Sequence, residues 1–190
     1  MSDFHQSGVI TTFHNLRTQS IEQQEQEVRK YTKQSPVSLV LPSLYSELQG
    51  DALPRIVQIL SEMDYINQII IGLDRASLDE YKHALDFFSG LPQNVSLLWN
   101  DGERMKKIDD ELKKYNLSPK QPGKGRNVWY MFGYTLAQRN SDVIAVHDCD
   151  ITTYNKDMLI KLIYPIINPQ LNFKYSKGFY SRIANRKMNG

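Results

Sequence analysis

The sequence predicts an α/β fold in which a mostly parallel sheet is covered by helices on both faces. Four short apolar runs of strand length alternate with longer segments whose apolar residues recur at helical spacing. Polar residues directly follow each apolar run, as expected where parallel strands end along one edge of a sheet. This alternation is typical of βαβ units.

Residues 1–34 differ in character from the rest and are predicted to form an N-terminal polar helical extension. Within them, Ile21, Val28 and Tyr31 form one thin apolar stripe, which indicates a short amphipathic helix. Residues 35–190 are predicted to form the main domain.

The strands of the main domain are predicted from compact apolar runs bounded by turn-forming residues. The first is closed by Pro42, and the second ends on Asp74. The strands are expected at residues 36–44, 66–74, 94–101 and 141–150.

Helices are predicted between these strands from helical apolar spacing and from capping signals. Asp51 is a candidate cap for one helix, and Ser77 with Glu80 forms a capping-box pattern at the start of the next. The helix before the fourth strand is expected to bury one face, formed by Val128, Met131, Phe132 and Leu136. The helices are expected within residues 51–63, 77–90, 127–140 and 155–167, and a short charged helix is expected somewhere within residues 102–127, before a Pro/Gly/Lys-rich loop.

Composition excludes several classes of protein. The 23 basic and 21 acidic residues are interleaved and give a net charge of +2, so the charge pattern does not indicate a nucleic-acid partner. A single cysteine excludes an intrachain disulfide and a Cys-rich zinc site. No signal-peptide pattern and no apolar run of about 18 residues occur, which predicts a cytoplasmic protein with no membrane partner. A homodimer remains open.

The stretch "SDVIAVHDCDIT" ends an apolar run with Asp148 and Asp150, called the aspartate pair below. Two carboxylates at this spacing, where a strand opens into a loop, can approach one Mg²⁺ or Mn²⁺ ion. The alternative is that Asp150 caps the following helix, or that Asp148 makes an ordinary turn. His147 is predicted to pack at the strand end, and Cys149 to face the core.

Other polar segments gather at the predicted strand ends. The stretch "PGKGRN" places Lys124 between two glycines in front of a helix, where backbone and ammonium groups favour phosphate. The alternative is an exposed loop with a solvated lysine. Glu47 after the first strand and Asp74 after the second could hydrogen-bond a ribose or base, or be ordinary surface residues.

Together these segments resemble the GT-A glycosyltransferases. The matching pieces occur in the order "VSLVLPSLYSE", "IIIGLD", "GKGRN" and "DVIAVHDCD". The stretches "PGKGRNVW" and "KYSKGFYSRIANRKMNG" are similar to the glucosyl-3-phosphoglycerate synthase group and its mannosyl- and glucosylglycerate-forming relatives. The resemblance covers about residues 36–190.

The resemblance implies a metal-dependent retaining glycosyltransferase that moves a hexose from an NDP-sugar, with UDP or GDP, to a small anionic acceptor such as 3-phosphoglycerate or glycerate. It implies a GT-A (Rossmann-like) fold and a divalent cation, Mg²⁺ or Mn²⁺, held by Asp150 and Asp148. It also implies a set of donor-binding residues, which are Pro42, Ser43, Leu44, Glu47, Asp74, Lys124 and Asp148. The acceptor would be held by Lys177, Gly178 and Arg182 after a fifth strand, although these residues could equally form a basic tail. No catalytic residue is assigned.

Two alternatives accompany this hypothesis. The relatives continue well beyond the point matching Gly190, so the chain could be a non-catalytic nucleotide-sugar-binding fragment or pseudo-enzyme that is truncated relative to the family. "DCDIT" also matches the D-x-D-x-[TV] motif of haloacid-dehalogenase-type phosphatases, in which the first aspartate attacks phosphorus. That chemistry requires a downstream acidic pair, and no clustered pair follows Asp150.

Overall fold

A four-stranded parallel sheet forms the centre of the molecule. The computed structural model describes residues 20–171, 173–178, 182–184 and 187–189, the last two segments by their backbone alone. The strands lie in the order β3-β2-β1-β4, and each neighbouring pair is parallel. Their bounds are β1 Val37–Leu44, β2 Gln68–Asp74, β3 Asn94–Trp99 and β4 Val143–Val146.

Helices connect the strands, as the sequence predicts. They are α1 Ile21–Tyr31, α2 Ala52–Ser61, α3 Leu78–Phe88, α4 Glu103–Lys114, α5 Lys124–Gln138 and α6 Lys156–Ile167. A short 3-10 helix, Tyr45–Gln49, follows β1, and a two-stranded antiparallel ribbon is formed by β5 Arg182–Ala184 and β6 Lys187–Asn189. In the described part of the chain, no helix is long and apolar enough to cross a lipid bilayer.

Successive strand residues point to opposite faces of the sheet. Helices cover both faces, so that there is one apolar core on each side. Leu39 and Ile71 face the larger core, where α1, α2, α3 and α6 contribute apolar side chains. Val40 and Ile70 face a smaller core beneath Met131 of α5. The predicted α/β class, with helices on both faces and an N-terminal helix, is therefore confirmed.

The first strand ends at Leu44, as its expected range does, but Pro42, which was expected to close it, lies inside the strand. β1 continues through Pro42 to Leu44, and Pro42 pairs with Gly72 of β2. The carbonyl of Val40 accepts a hydrogen bond from His147 N on the β4 side, so the backbone of Pro42 faces that side too. Because β4 ends at Val146, the missing N–H of Pro42 removes no hydrogen bond from the sheet.

Three other boundaries also differ from the prediction. β4 spans Val143–Val146 and not the whole of residues 141–150. Asp51 stands at the N-cap position of α2, but its side chain makes no capping hydrogen bond. No strand lies between α6 and Lys177 in the described residues, so the fifth strand of the main sheet that was expected there is not found.

Helix α5 begins three residues earlier than predicted, at Lys124, and its buried face includes Met131 and Val128 of the predicted set but not Leu136. Leu136 is 69% exposed, whereas Asn127, Tyr130 and Met131 are buried. Asn127 is drawn inward because its Nδ2 donates a 2.7 Å hydrogen bond to the carbonyl of Gly72 in β2. A polar anchor thus sets which side of this helix meets the sheet.

The N-terminal helix packs on the main domain. Val28, in the predicted apolar stripe of α1, is fully buried. Lys156 Nζ of α6 lies 2.7 Å from Glu25 Oε2 of α1, and the hydroxyl of Tyr164 in α6 donates to Glu27 of α1 at 2.5 Å. Residues 1–19 of the predicted extension lie outside the described residues.

Candidate functional site

The order of the strands reverses at one point in the sheet, between β1 and β4. From β1 the chain moves outward to β2 and β3, and it returns to the other side of β1 as β4. At such a reversal the connections leave in opposite directions and open a cleft at the carboxyl ends of the strands. We call this the carboxyl edge.

The aspartate pair lies at the carboxyl edge, just beyond β4. Asp150 is exposed, and the side chain of Asp148 is 37% exposed. His147, which precedes the pair, and Cys149, which separates its two members, are buried. The alternation of strand side chains therefore continues past the end of β4. The N-cap position of α6 is occupied by Asn155, so Asp150 does not cap that helix.

The buried residues around the pair are held in neutral forms. Nδ1 of His147 and the hydroxyl of Tyr154 lie 3.0 Å apart and share a hydrogen bond. Burial lowers the pKa of His147 to about 4, which the charge of Asp148 opposes. Burial also raises the pKa of the Cys149 thiol. The predictions that His147 packs at the strand end and that Cys149 faces the core are confirmed.

Lys124 reaches the aspartate pair from the start of α5. Its ammonium forms an ion pair with Oδ1 of Asp148. The chain enters the helix through Gly123, whose φ of 131° lies in the region that favours glycine. Lys124 is therefore the first residue of the helix and not part of a free loop, and both members of the ion pair remain partly exposed at the carboxyl edge.

Asp74, at the end of β2, also lies at the carboxyl edge, and its carboxylate forms an ion pair with Arg126. Arg126 donates to its Oδ1 at 3.2 Å, and the side chain of Asp74 is only 5% exposed. Arg126 was not selected from the sequence, although it stands two residues after Lys124 in "PGKGRN". The signal available was a second cation in the first turn of the same helix.

The residues after β1 are engaged in local hydrogen bonds. Ser43 is buried and its hydroxyl donates to the carbonyl of Leu44 at 3.0 Å. Glu47 Oε2 accepts a 3.0 Å hydrogen bond from the backbone N–H of Leu44. Pro42 is buried. Glu47 is therefore more than an ordinary surface residue, because its carboxylate stabilises the turn that follows β1.

The end of β3 contributes a further polar residue. Asn100 is buried, and neither polar atom of its side-chain amide has a hydrogen-bond partner. Its neighbour Asp101 accepts a 3.0 Å hydrogen bond from the backbone N–H of Ala76, which follows β2. These contacts join the ends of β2 and β3.

The predicted acceptor residues lie on a different segment. Lys177 and Gly178 are exposed in the chain that follows α6. Arg182 begins β5, and its side chain lies outside the described residues. Their assignment to an acceptor site stays a prediction.

The residues at the carboxyl edge fit a divalent cation bound together with a diphosphate. Among the described residues, no group of three or more His, Cys, Asp or Glu side chains could hold a metal by itself. Mg²⁺ is usually held by one or two carboxylates, with waters and substrate phosphates completing its shell. Asp148 and Asp150 supply two carboxylates. The ammonium of Lys124 already lies against the carboxylate of Asp148, so one cation is held at this position.

The fold matches solved structures of one class of enzyme. A glucosyl-3-phosphoglycerate synthase from Mycobacterium tuberculosis, solved with Mn²⁺, UDP and glucosyl-3-phosphoglycerate, superposes with a TM-score of 0.52 at 18% identity, over 83% of this chain and 47% of that one. A structure of the same enzyme with Mn²⁺, UDP-glucose and phosphoglyceric acid superposes with a TM-score of 0.50 at 16% identity, over 88% and 46%. The fold is that of the GT-A glycosyltransferases.

Sequence comparison names the group. The chain is 40% identical over 186 residues to a glucosyl-3-phosphoglycerate synthase from Persephonella marina, which covers 98% of this chain and 46% of the relative. It is 36% identical over 182 residues to one from Methanococcoides burtonii, over 95% and 44%. The chain is a homologue of these hexosyltransferases and spans about half the length of the curated relatives it matches. No protein-family model matches it.

Proposed function

We propose that this chain binds the sugar donor of a metal-dependent retaining glycosyltransferase, which moves a hexose from an NDP-sugar to a small anionic acceptor such as 3-phosphoglycerate or glycerate. The observation that carries the proposal is the ion pair between Lys124 and Asp148, beside Asp150, at the carboxyl edge. A cation and two carboxylates at the reversal point of a parallel sheet form a suitable receptor for a metal-bound diphosphate.

Each part of the edge has a proposed role. Asp150 and Asp148 would hold the metal, which would supply Lewis-acid neutralisation of the diphosphate when bound. Lys124 leaves Asp148 for a phosphate oxygen of the donor. The backbone of Pro42, Ser43 and Leu44 borders the nucleoside, as does Glu47.

The structure changes the role that we propose for Asp74. Because Arg126 already occupies its carboxylate, Asp74 is better suited to orient Arg126 towards the donor than to bind the nucleoside alone. A charge-assisted hydrogen bond of this kind is stronger than one between neutral groups.

The acceptor role is proposed for Lys177, Gly178 and Arg182. Two cations on one segment suit a carboxylate or phosphate on the acceptor. The M. tuberculosis relative was solved with UDP-glucose and phosphoglyceric acid. UDP-glucose and 3-phosphoglycerate are therefore the first substrates to test with this chain.

A thermal-shift panel tests the donor site. UDP, GDP and ADP are added with and without Mn²⁺ or Mg²⁺, and one nucleotide is expected to raise the melting temperature only when metal is present, since a ligand stabilises the folded state that binds it. Asp150→Asn should abolish this shift. Asp142→Asn is the matched control, because Asp142 is exposed just before β4, at the opposite edge of the sheet.

The same samples separate the alternatives. Hexose transfer to 3-phosphoglycerate or glycerate identifies an enzyme, and a metal-dependent shift without transfer identifies a nucleotide-sugar-binding module. Absence of any nucleotide effect, combined with phosphatase activity that is lost in Asp148→Asn, would overturn the donor-site proposal in favour of the phosphatase.

A further inference from the structure

We propose that Tyr154 is a positioning residue for the metal site, acting through its hydrogen bond to His147 to hold the loop that carries the aspartate pair. This inference rests on the proposed function, because it takes the aspartate pair to be the metal ligands. Tyr154 itself touches neither carboxylate in this scheme.

The 147–154 loop is closed on itself by side chains. Its first residue, His147, leaves the sheet with its N–H bonded to the carbonyl of Val40 at 3.1 Å. Its last residue, Tyr154, packs against His147, and the two aromatic rings meet edge to face at a centroid distance of 5.2 Å. The 3.0 Å hydrogen bond between Nδ1 of His147 and the Tyr154 hydroxyl joins the two ends of the loop.

The bond is made where water is excluded. Tyr154 is fully buried and His147 is 6% exposed. A buried hydroxyl or imidazole nitrogen without a partner destabilises the folded state, so each of these polar atoms depends on the other. Two apolar side chains could fill the same space, but only a hydrogen bond would also fix the direction in which the loop leaves β4.

The aspartate pair depends on such anchors because it has few of its own. In the described part of the chain, Asp150 makes no hydrogen bond or ion pair, and the ion pair of Asp148 is with Lys124 of a different element. The loop is held instead by Cys149, which is buried in the core, and by exposed Arg55, which donates to the carbonyl of Thr152 at 3.3 Å. Removal of the His147–Tyr154 bond should therefore loosen the spacing of the two carboxylates while the core stays packed.

The test is a titration of Mn²⁺ into the chain in the presence of UDP, with free Mn²⁺ followed by electron paramagnetic resonance. Tyr154→Phe removes only the hydroxyl and is expected to weaken Mn²⁺ binding about tenfold or more, the range seen when groups that orient metal ligands are lost. Tyr164→Phe is the matched control, since it removes a hydroxyl that bonds Glu27 of α1. It should leave Mn²⁺ affinity unchanged.

A second variant distinguishes positioning from general stability. His147→Asn keeps a polar atom near the position of Nδ1 and should retain most of the Mn²⁺ affinity, whereas His147→Leu should lose it as Tyr154→Phe does. Equal Mn²⁺ affinity in wild type, Tyr154→Phe and His147→Leu would overturn the inference and leave the proposed function intact. Failure of wild type to bind Mn²⁺ with UDP would overturn the proposed function, and the inference with it.

Discussion

Gly72 in β2 is the residue on which the approach of α5 to the sheet depends. A Cβ at this position would lie 1.8 Å from Oδ1 of Asn127 and 2.8 Å from the sulfur of Met131. The absent side chain lets Asn127 reach the Gly72 carbonyl, and this contact fixes the first turn of α5. Lys124 stands three residues earlier in that turn.

Gly72→Ala is therefore expected to destabilise the protein by about 1–3 kcal/mol, the usual cost of overpacking a core. Urea denaturation measures the change. The control is Gly133→Ala in α5, where no atom beyond the adjacent residues and the backbone of the helix itself lies within 4 Å of the added carbon. That variant should be more stable than wild type by about 0.5–1 kcal/mol, because alanine favours helix. Equal effects of the two substitutions would contradict the close contact.

Asp109 in α4 joins three elements through one carboxylate. Its Oδ1 accepts hydrogen bonds from the hydroxyls of Ser118 and Tyr130, both at 2.5 Å, and Lys113 Nζ lies 2.9 Å from Oδ2. Burial favours a higher pKa, but the hydrogen bonds from Ser118, Tyr130 and Lys113 outweigh it and lower the pKa of Asp109 to about 2. The carboxylate thus stabilises the loop between α4 and α5 in its ionised form.

This lowered pKa predicts a pH dependence of the free energy of unfolding. Because the folded pKa lies below the unfolded value, the stabilisation is complete above about pH 4 and is lost as the pH falls towards about 2. The difference in stability between wild type and Asp109→Asn should shrink over that interval in urea melts. Ser118→Ala removes one donor and should move the loss to higher pH. A constant difference from pH 5 to pH 2 would refute the assignment.

At the scale of elements, α1 shows how a mostly polar helix is held in place. One fully buried side chain, Val28, enters the core, and Glu25 lies between Arg29 at 3.3 Å and Lys156 at 2.7 Å. Exposed ion pairs contribute little each, so the apolar anchor is expected to dominate.

Val28→Ala is expected to cost about 2 kcal/mol, from the apolar groups removed and the cavity left behind. Gln26→Ala, on the exposed side of the same helix, should change stability by less than about 0.5 kcal/mol. Thermal and urea denaturation give both values. Similar costs for the two variants would show that α1 is not held by its buried stripe.

Elements with strong local signals were predicted well from sequence. β2 ends at Asp74 as expected, and the Ser77–Glu80 capping box begins α3 with both hydrogen bonds formed. The start of α5 is missed because Gly125 is a poor helix former, and part of its buried face is missed because Asn127 is polar. That face is decided by a tertiary contact with Gly72, which no local pattern encodes.

The candidate site also contains residues with clear local signals and residues whose role depends on contacts formed only in the fold. Asp148, Asp150 and Lys124 could be selected from their positions after a strand and before a helix, and the structure joins Lys124 to Asp148. Arg126 has a local signal, as a second cation in the first turn of α5, but its contact with Asp74, 52 residues away, has none. The contact of Tyr154 with His147, seven residues earlier, depends on how the loop after β4 folds back, which no local pattern encodes.

At the scale of the whole molecule, one topological feature organises the site. The strand order reverses beside β1, with β2 on one side and β4 on the other, so the ends of β1, β2 and β4 lie along one edge. All of the proposed donor-binding residues lie at that edge or in the first turn of α5. The curated relatives are about twice as long as this chain, so the proposal for the chain itself is centred on donor binding.

Calorimetric titration of UDP into the 190-residue chain, with Mn²⁺ and then with a chelator, tests this account most directly. We predict that Mn²⁺ tightens UDP binding by at least about tenfold, or about 1.4 kcal/mol, and that Asp150→Asn removes the difference. Equal UDP affinity with and without metal, or a metal effect that survives in Asp150→Asn, would contradict the assignment of the aspartate pair as the metal site.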